Sequence, residues 1–137
     1  MRHGQAEQAS DDFERPLSEA GLEQARTAGA ALGRRGWVPE LLLTSSAPRA
    51  QTTAECVAAA CGYRGSIRAE RVLYLAPEGL CLKLLQALPD DVGSVLLVGH
   101  NPGLSALVRL LFRQPRELAT ADYASAELAL DTWSELG

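Results

Sequence analysis

Apolar residues along this 137-residue chain fall into two patterns, short continuous runs and longer stretches with helical spacing. The runs 41–44 and 94–98 are bounded by turn-forming residues, which predicts strands buried on both faces of a parallel sheet. Helical spacing is seen in the stretches 19–32, 49–61, 78–88 and 104–112. Because strands alternate with helices, we predict an α/β fold, a three-layer α/β/α sandwich with a largely parallel sheet.

Three other segments have weaker patterns. Residues 67–75 alternate imperfectly, which predicts a strand followed by a turn, and residues 124–133 alternate weakly, which is consistent with a last edge strand. Residues 5–14 are polar without an apolar period, which predicts a loop. The length and the lack of internal repeats predict a single domain over residues 1–137.

Composition supports a folded domain and excludes several classes of protein. Hydrophobic residues make up 47% of the chain and charged residues 22%, which argues against disorder. The net charge of -4 gives no basic field to attract nucleic acid or an acidic membrane surface, so any anion site must be local. No apolar run approaches the ~18 residues of a transmembrane helix and the first residues are polar, so we expect a cytoplasmic protein.

The three cysteines, Cys56, Cys61 and Cys81, carry no motif for chemistry. They form no C-x-x-C pair and have no histidine near them. We therefore interpret them as reduced thiols packed in the core rather than as a disulfide framework or a metal site. The sequence predicts no metal site and no cofactor.

The chain has two histidines, His3 and His100, and both lie in glycine-containing segments. His100 directly follows the second predicted strand, and Ser45 and Arg49 follow the first. Ligands of parallel sheets bind beyond the carboxyl ends of the strands, so Arg49 and His100 are expected at one rim. The position of His3 does not follow from this rule because no strand precedes it in the chain.

Arg49 has an unusual place for a cation, because the first turn of a helix favours negative charge. An arginine there makes sense if an anion also binds. Ser45 and Asn101 are typical loop and turn residues, although the Ser45 hydroxyl and the Asn101 backbone N–H are both suited to contact an anion.

Four segments in order resemble the histidine phosphatase superfamily, which includes the cofactor-dependent phosphoglycerate mutases. They are Arg2-His3-Gly4, Arg15-Pro16-Leu17-Ser18 with Gly21, Ser45-Ser46-Ala47-Pro48-Arg49-Ala50, and Gly99-His100-Asn101-Pro102. The resemblance covers essentially the whole chain. The short length, without an insertion to cap the site, is most similar to the SixA-type phosphohistidine phosphatases.

The resemblance implies a phosphatase that works through a phosphohistidine intermediate without a metal. His3 would become phosphorylated, while Arg2, Arg49 and His100 would bind the phosphoryl oxygens. Arginine suits this task because a transferring phosphoryl group keeps its negative charge on oxygen, and the guanidinium donates two hydrogen bonds and stays charged. A neutral His3 would attack phosphorus and a protonated His100 would stabilise the transition state.

The proton donor, the role of Arg15 and the substrate stay open. Glu78, at the start of a predicted helix, is the candidate for protonating the leaving group, with Asp11 or Asp12 as alternatives. Arg15 either contacts substrate or anchors the loop. The expected substrate is a phosphohistidine protein; a small phosphorylated metabolite is the alternative, and a non-catalytic phosphate-binding regulatory module is a competing function.

The chain departs from the family at its first residue. In the family a short apolar strand in the middle of the sheet runs directly into the Arg-His-Gly motif, whereas this chain begins at Met1. We therefore expect a domain truncated at its N-terminus, with neighbouring strands about 10 Å apart, their edges unpaired and His3 on a fraying terminus. The competing expectation is that the neighbouring strands close the gap.

Overall fold

A computed structural model describes residues 1–137 as three layers, with two helices on each face of a central parallel sheet. The strands are β1 (Leu41–Ser45), β2 (Ile67–Glu70) and β3 (Val95–Val98). The α-helices are α1 (Glu19–Arg34), α2 (Pro48–Cys61), α3 (Glu78–Gln86) and α4 (Gly103–Phe112). Short 3-10 helices span Asp12–Glu14, Arg71–Leu73 and Trp133–Glu135.

The sheet has the order β2–β1–β3, with every neighbouring pair parallel. The central strand β1 is buried on both faces, as its continuous apolar run predicts. Leu42 packs in the core beneath α1 and α2, whereas Leu43 packs in the core beneath α3 and α4. Successive side chains of a strand point to opposite faces, so two adjacent leucines supply both cores.

The ends of the helices follow local signals in the sequence. The Ser18 hydroxyl accepts a hydrogen bond from the Gly21 N–H at 3.0 Å and caps α1. Gly62 ends α2 with a φ of 88°, a left-handed conformation that glycine adopts without strain. None of these helices is both long and apolar enough to cross a membrane.

All three cysteines are free thiols. Cys61 and Cys81 are buried, one in each core, and Cys56 is half-buried. The interpretation as core thiols therefore holds fully for two of them.

The predicted edge strand at 124–133 is wrong, because this segment forms no strand and ends in the 3-10 helix Trp133–Glu135. A cavity of about 880 Å³ lies between it and β3, and its lining includes Met1, Leu97, Ala124 and Leu128. Without a neighbouring strand to supply ladder hydrogen bonds, the alternating pattern of the segment does not produce a strand.

The first residues of the chain extend the sheet beside the carboxyl end of β3. The Met1 amine donates to the Leu97 carbonyl at 2.8 Å, and the His3 N–H donates to the Gly99 carbonyl at 3.1 Å. On the other side, the Ala121 N–H donates to the His3 carbonyl at 3.0 Å. The expected loose terminus is therefore not observed at His3.

Candidate active site

Three segments that are distant in sequence bring two histidines and an arginine together at the carboxyl end of the sheet. The rings of His3 and His100 have centroids 5.1 Å apart. Arg49, in the first turn of α2, places its Nε 3.4 Å from His3 Nε2. The three residues are 8%, 3% and 2% exposed for His3, His100 and Arg49 respectively, so their interactions are little screened by water.

The protonation of His3 is set by its surroundings. Its Nδ1 lies 2.7 Å from the Gly4 carbonyl oxygen, which can only accept a hydrogen bond, so Nδ1 carries the proton. Burial, opposed by this hydrogen bond and assisted by the charge of Arg49, lowers the pKa of His3 to about 4. His3 is therefore neutral at pH 7, and the lone pair on Nε2 faces the Arg49 guanidinium.

Close backbone packing holds the segment that carries His3. A Cβ on Gly4 would lie 2.7 Å from the Gly21 carbonyl oxygen, so the loop and α1 meet at a distance that only glycine permits. The Gly4 N–H also donates to the Thr53 hydroxyl at 3.0 Å, which ties the segment to α2. The sequence did not single out Thr53, since an alanine-rich helix gives no signal for one buried hydroxyl.

His100 is positioned by Ser45. The Ser45 hydroxyl lies 2.8 Å from His100 Nε2 and accepts a hydrogen bond from the Ala47 N–H at 3.1 Å. Burial first, and then the charges of His3 and Arg49, lower the pKa of His100 to about 3. Burial among cationic groups thus disfavours a further positive charge on His100, and its protonation during phosphoryl transfer stays a prediction.

Two buried nitrogens of the site lack hydrogen-bond partners, Arg2 Nε and His100 Nδ1. Arg2 uses Nη1 to donate to the Leu118 carbonyl at 3.2 Å. Leaving a buried polar atom unpaired costs about 1–3 kcal/mol, so each of these atoms calls for an explanation, and a ligand that pairs with it is one.

The remaining predicted residues take different roles. Asn101 is occupied inside the fold, donating to the Leu118 carbonyl at 2.8 Å and accepting from Ser105. Arg15 donates to the Glu7 carbonyl at 2.9 Å and pairs with Asp12, which fits the predicted loop anchor. Glu78 is exposed at the start of α3 and makes no hydrogen bond or ion pair through its side chain. No group of three or more His, Cys, Asp or Glu side chains is arranged to hold a metal ion.

Tyr74 and Asp12 form a contact in the site that the sequence did not predict. The Tyr74 hydroxyl donates to Asp12 Oδ2 at 2.5 Å, and the Tyr74 ring meets the His100 ring edge-on at 5.4 Å. The hydrogen bond from Tyr74, followed by those from Arg49, lowers the pKa of Asp12 to about 2, so its carboxylate is ionised. One signal was available, because Tyr74 closely follows β2 and so lies at the same carboxyl edge of the sheet.

Comparison with known proteins identifies the family of this chain. The model of the histidine phosphatase superfamily (branch 1) matches residues 1–73, more than half of the chain. This chain belongs to the histidine phosphatase superfamily. This histidine phosphatase is 32% identical over 113 residues to an uncharacterized protein of Mycobacterium tuberculosis, a match that covers 81% of the chain and 69% of that relative.

Solved structures place this histidine phosphatase near the SixA type. The protein histidine phosphatase SixA complexed with tungstate superposes with a TM-score of 0.80 at 32% identity, covering 88% of this chain and 80% of that one. The mycobacterial glucosyl-3-phosphoglycerate phosphatase shares the fold, with a TM-score of 0.64 at 22% identity over 83% of this chain and 78% of that one. The predicted membership and the likeness to SixA are thus confirmed.

Acid should destabilise this fold, because three buried groups hold their protons less tightly than they would in the unfolded chain. Folding lowers the pKa of His3 and His100 from 6.5 to about 4 and about 3, and that of the Met1 amine from 8.0 to about 5. The unfolded chain therefore binds more protons as the pH falls below 8 and then below 6.5, so stability is lost in that direction. Asp12 is ionised in both states above pH 5 and contributes no slope there.

Urea melts at pH 8 and pH 5 test this expectation. The urea midpoint should be lower at pH 5. In a His3→Asn, His100→Asn double variant, the midpoint should fall by less between pH 8 and pH 5. An equal loss in the double variant would show that the histidines are not responsible.

Proposed function

We propose that this histidine phosphatase hydrolyses phosphorylated substrates through a covalent phosphohistidine at His3. The observation that carries the proposal is the state of His3 Nε2, which is unprotonated and faces the buried Arg49 guanidinium 3.4 Å away. A nucleophile and a cation that binds phosphoryl oxygens are thereby placed next to each other. The unpaired nitrogens of Arg2 and His100 are further partners for an oxyanion.

The reaction would proceed in two displacements. In the first, the Nε2 lone pair of His3 attacks phosphorus as the bond to the leaving group breaks, and the leaving group departs with that electron pair. In the second, a water oxygen attacks the same phosphorus, the bond to Nε2 breaks with its electron pair returning to His3, and inorganic phosphate leaves as H2PO4⁻ with both protons of the water. Arg49 and Arg2 hold the negative phosphoryl oxygens in both steps.

We propose a protein phosphohistidine as the preferred substrate, on chemical grounds. Asp12 is ionised, and Glu78, the predicted proton donor, is exposed and makes no hydrogen bond or ion pair through its side chain. A phosphohistidine that is protonated on its second ring nitrogen releases a neutral imidazole and needs no proton from the enzyme. A phosphate ester releases a basic alkoxide and does need one. The likeness to SixA, at 32% identity, points the same way.

Trapping with a ³²P-labelled phosphodonor tests the proposal. We expect an acid-labile, alkali-stable label on the protein that water chases into inorganic phosphate. A substrate panel should favour a phosphohistidine peptide over a phosphoserine peptide and over a small phosphate ester. A preference for the ester would favour a metabolite phosphatase with Glu78 as acid. Phosphate binding without label from any donor would favour the non-catalytic module.

A further inference from the structure

Each of the three guanidinium nitrogens of Arg49 has a partner in this site. Its Nε points at His3 Nε2, its Nη1 donates to the Asp12 backbone carbonyl at 2.7 Å, and its Nη2 donates to Asp12 Oδ2 at 3.1 Å. The Arg49 side chain is only 3% exposed, so it has little freedom to turn elsewhere. The Nη1 and Nη2 hydrogens that point at Asp12 are therefore not available to a phosphoryl group while Asp12 stays in place.

The Asp12 carboxylate is bound in the manner of a small oxyanion. One oxygen accepts from the Tyr74 hydroxyl and from Arg49, and the other pairs with Arg15 Nη1 at 3.3 Å. The two oxygens thus meet donors from three residues that are distant from one another in sequence. A phosphoryl oxygen needs the same kind of donors.

We propose that Asp12 is an internal anion that occupies the phosphoryl subsite at Arg49, and that the phosphate of the substrate must displace it. This inference rests on the proposed function of the same site. It gives Asp12 a role in setting the affinity for phosphate.

Asp12 lies at the edge of the site, where its side chain can move from Arg49 into water. The Asp12 side chain is 48% exposed, so water can take over its solvation as it moves out. It lies on the single-turn 3-10 helix Asp12–Glu14, which packs on the rim through Phe13. The Phe13 ring lies beneath the Arg71 guanidinium at 3.7 Å and edge-on to Tyr74 at 4.9 Å. An arriving phosphate would repel the carboxylate and also replace it on Arg49.

Removing the Asp12 charge should therefore tighten phosphate binding. We expect Asp12→Asn to lower the Kd for inorganic phosphate by about 10-fold. Phosphate would then no longer have to break the charge-assisted hydrogen bonds between the Asp12 carboxylate and Arg49. Isothermal titration at pH 7 measures the effect on the full chain. Under steady-state turnover the variant should show a lower KM without a lower kcat.

Asp11→Asn is the matched control because it removes the same charge one residue away. Asp11 caps the 3-10 helix by accepting from the Phe13 N–H at 3.2 Å and does not touch Arg49. A second variant, Phe13→Ala, loosens the helix without changing any charge, and it should also tighten phosphate binding.

The outcomes separate this inference from the proposed function. Equal phosphate affinities in wild type and Asp12→Asn would overturn the inference alone, as would equal tightening by Asp11→Asn. A lower kcat with unchanged phosphate affinity would assign Asp12 to proton transfer and also overturn it. Failure of wild type and every variant to bind phosphate would overturn both.

Discussion

The His3→Ala variant should lose turnover by about 10⁴-fold or more and should retain no acid-labile phosphate. The loss is large because no other side chain can replace Nε2. The neighbouring His100 ring is held by Ser45, with Oγ 2.8 Å from its Nε2, and its centroid lies 5.1 Å from that of His3. Single-turnover assays with a phosphohistidine peptide, with the labelled protein quantified after quenching, measure both effects.

His3→Asn is the control for structural damage. The asparagine amide retains an N–H that can donate to the Gly4 carbonyl, which His3 Nδ1 contacts at 2.7 Å, but it has no ring nitrogen to carry phosphate. This variant should be as inactive as His3→Ala and should still bind inorganic phosphate through Arg49. Activity within tenfold of wild type in either variant would show that His3 is not the nucleophile.

The parts of the site that follow strands were predictable from sequence. Arg49 follows β1 and His100 follows β3, and both strands are short apolar runs whose carboxyl ends must share one edge of a parallel sheet. The placement of His3 needed the likeness to the family, because backbone hydrogen bonds to Gly99 and Ala121 hold it instead of a strand of its own.

The parts that depend on three-dimensional surroundings were not predictable. The contact between Asp12 and Tyr74 joins residues 62 apart and depends on the path of a polar loop with no periodic pattern. The neutral state of His100 depends on its burial, with 3% of the residue exposed, which the residue type does not reveal. The segment 124–133 has a strand-like alternation but no neighbouring strand, and pairing decides whether a strand forms.

The edge of β3 that faces away from β1 has unused ladder groups. The Leu41 N–H donates to the Ser94 carbonyl, so alternate residues of this strand direct their backbone groups toward β1. The backbone N–H and C=O groups of Val95 and Leu97 point away from β1. Met1 uses the Leu97 carbonyl at 2.8 Å, and the remaining groups face the cavity of about 880 Å³. The cavity is lined on one face by Leu32 and on the other by Leu104, so both of its faces are apolar.

An apolar strand joined to the amino end of Met1 should therefore stabilise the protein. It would pair with β3 in parallel and bury side chains on both faces, as a strand within a three-layer fold does. The peptide bond would also replace a buried amine, whose pKa burial lowers to about 5, with an amide N–H that keeps the hydrogen bond to Leu97. After the entropy of ordering the added residues is subtracted, we expect a gain of about 3 kcal/mol in the free energy of unfolding.

Urea melts compare the 137-residue chain with a chain extended at its amino end by five residues chosen from Val, Ile and Leu. We expect the extension to raise the midpoint by about 1–2 M. An extension of the same length made of Gly and Ser is the control, because it converts the amine to an amide but buries no apolar surface, and it should recover only a small part of the gain. Equal midpoints in all three chains would mean that the β3 edge and its cavity do not accept a strand. The hydrogen bonds of residues 1–3 with Leu97, Gly99 and Ala121, together with the bond from Gly4 to Thr53, would then be enough to hold the nucleophile.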